Sequence, residues 1–327
     1  MEIKAINVNE LFTDMLWRFK TSGVKVNTRN GPAIRIDEPV LTTIIEPTER
    51  VLFFDKRDAN PIFHLMESIW MLAGRNDVAF LKQFNSTIGQ FSDDGFKFNA
   101  AYGNRMRHHF GFDQLKEVIK HLKNDPNSRQ AVIQLWETSD FNKATKDKAC
   151  NTQLIFAIVN GCLDITIFNR SNDFWWGYCG ANPVHFSIIQ EFVAIALEVP
   201  VGQYFTVSNN LHLYTELYNA KPYVETPPSS EVFDAYSNGL VKPSELYYGS
   251  PELFLHECEV FCNDPFGNNR YVNPFFEFTA HPMAMVAHDR KNKISDGTVW
   301  ANKILASDWK LATQQYIMNR EKKNVSK

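Results

Sequence analysis

Two alternating apolar segments joined by Asn160-Gly161 constrain the fold of this chain more than any other feature. The first segment covers residues 153–159 and the second covers residues 163–169. Asn-Gly between two such segments is the strongest short-range signal for a β-hairpin with a two-residue type I′ turn. The sequence therefore predicts a hairpin over this stretch.

The predicted turn brings reactive side chains to the open end of the hairpin. If Val159 pairs with Cys162, counting outward places Cys150 opposite Ser171 and beside Arg170. A fixed guanidinium lowers the pKa of a thiol, and an Arg with a Ser suits phosphate binding. A nucleophile beside a phosphate site predicts a phosphorylated substrate. A free cysteine is more often a small buried hydrophobe, but polar residues flank Cys150 on both sides.

Length and composition limit the class of protein. With 327 residues, we expect one catalytic domain core over residues 1–221 and an extension over 222–327 that packs on it as a candidate lid. Apolar residues make up 44% and charged residues 22%, and no apolar run reaches about 18 residues, which predicts a soluble protein without a membrane span. The net charge of −3 favours a small nucleotide over a nucleic acid as ligand.

The cysteines bear on location and metal binding. Five cysteines at irregular spacing favour a reducing compartment, and we expect the cytoplasm, or the host cytoplasm if the protein is viral. Residues 1–20 carry several charges and do not form a signal peptide. His256, Cys258 and Cys262 have the residue types of metal ligands, but no second cluster completes a site, so we expect no metal.

Local signals predict a helix that carries a candidate proton-transfer group. Asn60 as N-cap, Pro61 at the first helical position and Gly74 beyond the end mark the helix. Glu67 has apolar neighbours at helical spacing, and burial raises the pKa of a carboxyl group. Glu67 is therefore either a proton-transfer group or a rim carboxylate bonded to a backbone amide.

Other patterns predict the remaining elements. Apolar spacing predicts further helices over residues 10–19, 113–122, 182–197 and 307–316, and strands over 131–136 and 204–214. From residue 222 onward the sequence predicts irregular structure, with a linker or lid over 226–230. The basic residues 320–327 predict a frayed tail.

Taken in order, these residues resemble the thymidylate synthase family and its relatives, the deoxyuridylate and deoxycytidylate hydroxymethylases. The resemblance covers residues 29–214. Glu67 within His-Leu-Met-Glu-Ser-Ile-Trp resembles the catalytic glutamate helix, Tyr102-Gly103 the active-site tyrosine segment, and Cys150 the nucleophile. Arg-Ser-Asn-Asp over residues 170–173 resembles the phosphate-binding Arg-Ser and a nearby aspartate, Asp173.

The resemblance also assigns substrate-binding roles to separated residues. Arg29 resembles the phosphate-loop arginine and Asn182 the asparagine that reads the base. His212 and Tyr214 resemble the pair that binds the sugar hydroxyl. Arg129 resembles an arginine that reaches into the partner subunit's site, which implies a homodimer.

The resemblance implies a fold and a reaction. The fold is α/β (α+β), a mixed β-sheet packed by helices, with a homodimer formed through the sheet face. In the reaction, the Cys150 thiolate adds to carbon 6 of a pyrimidine deoxynucleoside 5′-monophosphate, so that carbon 5 accepts one carbon from 5,10-methylenetetrahydrofolate. The implied catalytic residues are Cys150, Glu67, Tyr102 and Asp173, and the substrate-binding residues are Arg29, Arg129, Arg170, Ser171, Asn182, His212 and Tyr214.

Several departures from the synthase pattern bear on the product. Asn151 follows the nucleophile where synthases have His, Gln130 replaces a second arginine, and one residue is inserted before Asn182. The shielding indole is replaced near Ile88, with Phe91 the other nearby aromatic, and the short apolar C-terminal ending is missing. Loss of shielding lets water capture the methylene before hydride does, which predicts 5-hydroxymethyl-deoxyuridylate as product.

The sequence is compatible with more than one base and more than one reaction. Asn182 offers a donor and an acceptor, which favours uracil, although an amide can flip. The alternatives are a thymidylate synthase that converts deoxyuridylate to thymidylate, a deoxycytidylate or cytidylate hydroxymethylase, and a nucleotide-binding paralogue without turnover. A cysteine hydrolase is disfavoured because no Cys-His pair with an orienting third group is evident.

Overall fold

A computed structural model describes residues 1–246 and 249–325 of the chain. Its strands are β1 (Glu2–Ala5), β2 (Val24–Thr28), β3 (Gly31–Arg35), β4 (Val40–Ile44), β5 (Val132–Gln134), β6 (Asn151–Val159), β7 (Cys162–Asn169), β8 (Asn172–Asp173), β9 (Val201–Ser208) and β10 (Leu211–Tyr214). Its α-helices are α1 (Val8–Ser22), α2 (Pro61–Leu72), α3 (Val78–Phe84), α4 (Tyr102–Asn104), α5 (Gln114–Asn124), α6 (Asn182–Ala196), α7 (Lys221–Glu225), α8 (Pro251–Asn263), α9 (His281–Lys291), α10 (Thr298–Lys303) and α11 (Ser307–Val325).

The strands form two mixed sheets. The larger sheet has the order β1-β4-β9-β7-β6-β5, and the smaller has the order β2-β3-β10-β8. In the larger sheet, β1 pairs with β4 and β7 with β9 in parallel, while the other pairs are antiparallel. The predicted mixed α/β fold is confirmed. The segment predicted as one strand over 204–214 breaks at residues 209–210, and its two halves belong to different sheets.

The β6–β7 hairpin has the predicted turn. Val159 pairs with Cys162, and both turn residues lie in the left-handed region, with φ of 51° at Asn160 and 80° at Gly161. A type I′ turn requires positive φ at both central positions, which Asn and Gly adopt most readily. The turn prediction is therefore confirmed.

A β-bulge near the open end of the hairpin corrects the predicted register. The pairing slips by one residue between Asn151 and Gln153, because a bulge sets two residues of one strand against one of the other. The backbone amide of Arg170 therefore donates to the carbonyl of Cys150 at 3.0 Å. Cys150 lies opposite Arg170, and the prediction that it lies opposite Ser171 is wrong.

Helices α2 and α6 pack against each other, and α6 also packs on β7 and β9. Asn60 caps α2 as predicted, because its side chain accepts from the amide of Phe63 at 3.0 Å. Phe63 and Phe186 are fully buried, and both helices contribute to the hydrophobic core. This packing holds Glu67 on α2 and Asn182 on α6 within one part of the molecule.

The prediction of irregular structure from residue 222 onward holds for residues 226–246, where the only helical element is the short 3₁₀ turn Ser230–Val232, but it is wrong from Pro251 onward. Helices α8, α9 and α11 pack against α2, and their buried side chains join the same hydrophobic core. The predicted fraying of the tail is also wrong up to Val325, because α11 continues to that residue, and residues 326–327 lie outside the described part. The division at residue 221 stays a prediction. Among the described residues, no helix is both long and apolar enough to cross a membrane.

Candidate active site

The thiol of Cys150 lies beside a clamped guanidinium. Cys150 is exposed, and Nη2 of Arg170 donates toward its Sγ at 3.6 Å. The Arg170 side chain also donates to the carbonyls of Ala149 at 2.7 Å and Lys148 at 3.1 Å, and it lies over the Trp136 ring at 5.6 Å. Because these contacts hold the guanidinium in place, the hairpin presents a fixed positive charge to an accessible sulfur.

The surroundings of Cys150 nevertheless raise the pKa of its thiol. Loss of water around the side chain is the largest cause, since the thiol is open on one side but enclosed by protein on the others. Arg170 and Arg29 oppose this effect, while the carboxylates of Asp147 and Asp173 add to it. The predicted lowering of this pKa is therefore wrong for the free protein, although the predicted contribution of the cations is present.

Tyr102 positions the backbone of Cys150. Its hydroxyl accepts from the amides of Cys150 at 3.1 Å and Asn151 at 3.2 Å. Burial raises the pKa of Tyr102 above its usual value, so the phenol stays neutral at physiological pH. The structure thus brings Tyr102 and Cys150 together, as the sequence predicts.

A chain of buried polar side chains, which was not predicted from the sequence, anchors the bulge. Asn151 is buried, and its Oδ1 accepts from Nδ2 of Asn169. Oδ1 of Asn169 in turn accepts from the Thr206 hydroxyl at 2.6 Å. Buried amides need such partners. The signal in the sequence was an Asn at the open end of each strand, Asn151 in β6 and Asn169 in β7.

Glu67 lies between α2 and α6 and contacts a histidine on the second helix. Its side chain is 19% exposed, and Oε2 lies 3.2 Å from Nε2 of His185. The His185 nitrogen forms no hydrogen bond. No backbone amide among the described residues donates to Glu67, which argues against the alternative of a capped rim carboxylate. His185 was not predictable from the sequence, because its partner is on another helix.

Asp173, a predicted catalytic residue, also caps an element of the fold. It accepts from the amide of Trp175 at 2.8 Å and so caps the π-helical segment Phe174–Ala181. Its other oxygen accepts from the Tyr218 hydroxyl at 2.5 Å. Burial raises the pKa of Asp173, and the hydrogen bond from Tyr218 opposes that rise.

The side chain of Asn182 is held by a second amide. Its Nδ2 donates to Oδ1 of Asn172 at 3.2 Å, and Nδ2 of Asn172 donates to the Ser208 hydroxyl at 3.1 Å. Gly177 leaves room for this pair, since a Cβ there would lie 2.7 Å from Oδ1 of Asn172. Asn182 keeps its carbonyl oxygen and one amide hydrogen for a ligand. Asn172, which has no predicted role in the sequence patterns, is therefore a further candidate site residue.

The smaller sheet brings together the residues that are predicted to bind the sugar and the phosphate of the substrate. Asp173 on β8 pairs with His212 on β10, and the rings of His212 and Tyr214 lie 4.9 Å apart. The Tyr214 hydroxyl accepts from Nδ2 of Asn30 at 3.2 Å. Asn30 follows the exposed Arg29 in the β2–β3 loop, so this contact places the loop beside β10.

Two predicted residues are less closely connected. Ser171 is half-buried between Arg170 and Asn172 in the chain. Arg129 is exposed on the loop after α5, and within the described part of one chain it forms no hydrogen bond or ion pair with another site residue. In the same described part, no group of three or more His, Cys, Asp or Glu residues has an arrangement that could hold a metal ion.

Comparisons with known proteins relate this geometry to a family. The profile of the thymidylate synthase family matches residues 54–229. This range extends past the predicted resemblance at its C-terminal end, but it begins after Arg29.

Three phage proteins named deoxyuridylate hydroxymethyltransferase are similar to the chain. The protein of Pseudomonas phage M6 is 40% identical, across 97% of this chain and 94% of that protein. Those of Bacillus phage SP01 and Delftia phage PhiW-14 are 41% and 28% identical, across 65% and 61% of this chain and 58% of each relative. The chain belongs to the thymidylate synthase family.

Proposed function

We propose that this protein is a folate-dependent hydroxymethyltransferase that converts deoxyuridylate to 5-hydroxymethyl-deoxyuridylate. The observation that carries the proposal is the exposed thiol of Cys150 with the clamped Arg170 guanidinium 3.6 Å away. A thiolate that adds to carbon 6 of a pyrimidine makes carbon 5 nucleophilic, which is covalent catalysis. The names of the phage relatives support the choice of substrate and product.

Phosphate and sugar contacts would hold the substrate. Arg29, Arg170, Ser171 and the partner subunit's Arg129 would bind the 5′-phosphate, because guanidinium groups suit phosphate oxygens. His212 and Tyr214 would bind the sugar hydroxyl. Binding energy from the phosphate then fixes the geometry at the reacting carbon.

The held amide of Asn182 supports uracil as the base. One hydrogen of its Nδ2 is used by Asn172, which leaves one amide hydrogen and the carbonyl oxygen. These groups match O4 and the N3 hydrogen of uracil. Asn172 therefore supports the choice of base that the sequence predicts from Asn182.

The residues around Cys150 support its role as nucleophile. The sulfur would bond to carbon 6 while Tyr102 holds the backbone amide of Cys150. Glu67 would move protons, directly or through water. 5,10-Methylenetetrahydrofolate supplies the one-carbon unit when bound. Trp176, 41% exposed beside Asp173, offers an aromatic face that fits the flat rings of a folate.

Water capture in place of reduction is supported at two positions. Ile88 is buried in a 3₁₀ turn where a synthase has the shielding indole, and Phe91 at the end of that turn is 48% exposed. Neither side chain is an indole. Water would therefore have access to the exocyclic methylene on the pyrimidine, and its oxygen would become the hydroxyl of the product.

The outer face of the larger sheet supports a homodimer. Cross-strand pairs place Phe168, Val207 and Leu41 side by side on this face. Leu41 is exposed, and Phe168 and Val207 are partly exposed. An apolar face of this kind is typical of a subunit interface. The five free cysteines support a reducing location, which we propose to be the cytoplasm of the host cell.

Product analysis in isotopic water tests the proposal. The protein is incubated with deoxyuridylate and methylenetetrahydrofolate in H₂¹⁸O, and the nucleotides are identified by mass. We expect 5-hydroxymethyl-deoxyuridylate that carries ¹⁸O, and no product from Cys150→Ala. Thymidylate with dihydrofolate would identify a synthase, and deoxyuridylate recovered unchanged would identify a binding protein.

A further inference from the structure

Helices α2 and α6 bring one histidine against the candidate proton-transfer residue. His185 follows Asn182 by three residues, so both lie on the same face of α6. Nε2 of His185 lies 3.2 Å from Oε2 of Glu67, on the facing helix. One helix face therefore carries both the predicted base-reading amide and the neighbour of the carboxylate.

The Nε2 atom of His185 is buried and lacks a hydrogen bond. The side chain is 4% exposed, and Nε2 is among the buried polar atoms without a partner. Buried polar groups are normally satisfied, so an unsatisfied one calls for a functional explanation. A catalytic hydrogen bond is often poorly aligned before substrate binds and improves in the complex.

The charged and titratable neighbours of His185 leave Glu67 as its acceptor. The His64 ring on α2 lies edge-on to the His185 ring at 6.5 Å. Burial, with Arg57 and His185 itself, lowers the pKa of His64 well below its usual value, so His64 is neutral. Glu67 is the carboxylate at contact distance from Nε2 of His185.

We propose that His185 is a positioning residue that acts through Glu67. When substrate is bound, Nε2–H of His185 donates to Oε2 of Glu67 and orients the other carboxylate oxygen toward the water that attacks the substrate. This inference rests on the proposed function, and it names the group that orients the base for the hydration step.

The hydration step balances without a further reactant. The water oxygen bonds to the exocyclic methylene carbon, and the proton that it loses passes to Glu67. The π electrons of the exocyclic bond move into the ring to form the enolate. Collapse of the enolate breaks the bond between carbon 6 and the sulfur and releases the Cys150 thiolate. His185 keeps its proton throughout.

A double-mutant cycle tests whether His185 acts through Glu67. His185→Phe removes the donor, His185→Gln keeps an amide donor of similar reach, and each is made with Glu67 intact and as Glu67→Gln. We expect His185→Phe to lower kcat by about 10²-fold with KM for deoxyuridylate changed by less than about threefold. His185→Gln should recover kcat to within about tenfold of the unsubstituted enzyme, and His185→Phe should cause no further loss beside Glu67→Gln.

Controls separate this role from a structural one. His281→Phe changes another histidine with an unbonded buried nitrogen, on α9, and should leave kcat unchanged. If His185→Phe does not fold, His185→Asn replaces it, because its amide is too short to reach Glu67. Three results would overturn the proposal. The first is a loss of kcat from His185→Phe that adds to the loss from Glu67→Gln, and the second is an effect of His185→Phe on KM alone. The third is a kcat for His185→Gln as low as that for His185→Phe.

The readout also separates this proposal from the proposed function. Tritium release from carbon 5 of deoxyuridylate is measured beside ¹⁸O incorporation. A main product of thymidylate would refute the proposed function whatever the cycle shows. If the product is hydroxymethylated but the losses in kcat from His185→Phe and Glu67→Gln are additive, only the role of His185 is refuted and the proposed function stands.

Discussion

At the scale of single residues, the reactivity of Cys150 depends on two opposing effects. The enclosing protein removes water and favours the neutral thiol, whereas Arg170 and Arg29 favour the thiolate. Desolvation is the larger effect in the free protein, so Cys150 is held mainly as a thiol. The arginines were identifiable from the sequence, but the packing around the sulfur depends on distant segments and was not.

Alkylation of Cys150 should therefore increase at alkaline pH. We expect the midpoint of its reaction with iodoacetamide to lie above the usual thiol pKa of about 8.5. Arg170→Met should move the midpoint higher still, because Arg170 stabilises the thiolate. The measurement is the modified fraction of the Cys150 peptide, by mass, from pH 6 to 11. A midpoint below the usual thiol pKa of about 8.5 would contradict this account.

Asp308 should make folding stability depend on pH. It is buried near the start of α11, where burial raises its pKa to about 6 although Tyr236 donates to it at 2.9 Å. Because the pKa of Asp308 is higher in the folded state than in the unfolded state, the protonated group favours folding. This contribution to the free energy of unfolding is complete below about pH 4 and is lost as the pH rises through about 6. Asp308→Asn should remove this dependence, a change on the order of 2–3 kcal/mol between pH 4 and 8.

Urea unfolding of both proteins at several pH values measures the effect of Asp308→Asn. The difference in free energy of unfolding between the variant and the unsubstituted protein should grow as the pH rises from 4 to 8. A difference that stays constant over this interval would show that Asp308 does not titrate there.

At the scale of elements, the hairpin separates what local sequence predicts from what tertiary contacts decide. The Asn-Gly turn was predictable because few residues tolerate positive φ at both positions. The bulge was not, since it depends on Tyr102 and on the buried Asn169 and Thr206. One slipped residue changed the neighbour of Cys150 from Ser171 to Arg170.

Gly161→Ala should destabilise the hairpin without changing the site. Gly161 has φ of 80°, which costs a residue with a Cβ about 1–2 kcal/mol, and no atom within 4 Å would meet that Cβ. We expect this loss in the free energy of unfolding by urea, with kcat unchanged. Asn160→Gly is the matched control and should be nearly neutral. An equal loss from both changes would contradict the assigned turn.

The helices show a similar division. Helix α2 was predictable from Asn60-Pro61, and α8 carries the same signal, with Ser250 as N-cap and Pro251 as its first residue. The prediction of irregular structure after residue 222 overlooked that signal. The contact between Glu67 and His185 could not be predicted, because it depends on the packing of two helices far apart in sequence.

At the scale of the whole molecule, the proposal requires two subunits for a complete site. Arg129 is exposed and, within the described part of one chain, forms no hydrogen bond or ion pair with another candidate site residue, whereas the apolar sheet face offers a surface for a second copy. In such a dimer, each site would combine Cys150 of one subunit with Arg129 of the other. Because the two sites would be equal, the two subunits would be related by a twofold axis, and the same surface of each would form the interface.

Mixing two inactive variants should restore activity. Cys150→Ala and Arg129→Ala homodimers each lack a complete site, but a heterodimer keeps one. Random exchange of subunits gives about half heterodimers, so we expect about a quarter of the unsubstituted activity. Light scattering on the same samples measures the oligomeric state. Monomers in solution, or no recovery after exchange, would refute the shared site.

Covalent capture of Cys150 tests the central claim most directly. With 5-fluoro-deoxyuridylate and methylenetetrahydrofolate, fluorine replaces the hydrogen that must leave carbon 5, so the adduct at carbon 6 should accumulate. Mass analysis of the digested protein should find nucleotide and folate on the Cys150 peptide, and none in Cys150→Ala. An unmodified Cys150 peptide, or an adduct on another residue, would contradict the account.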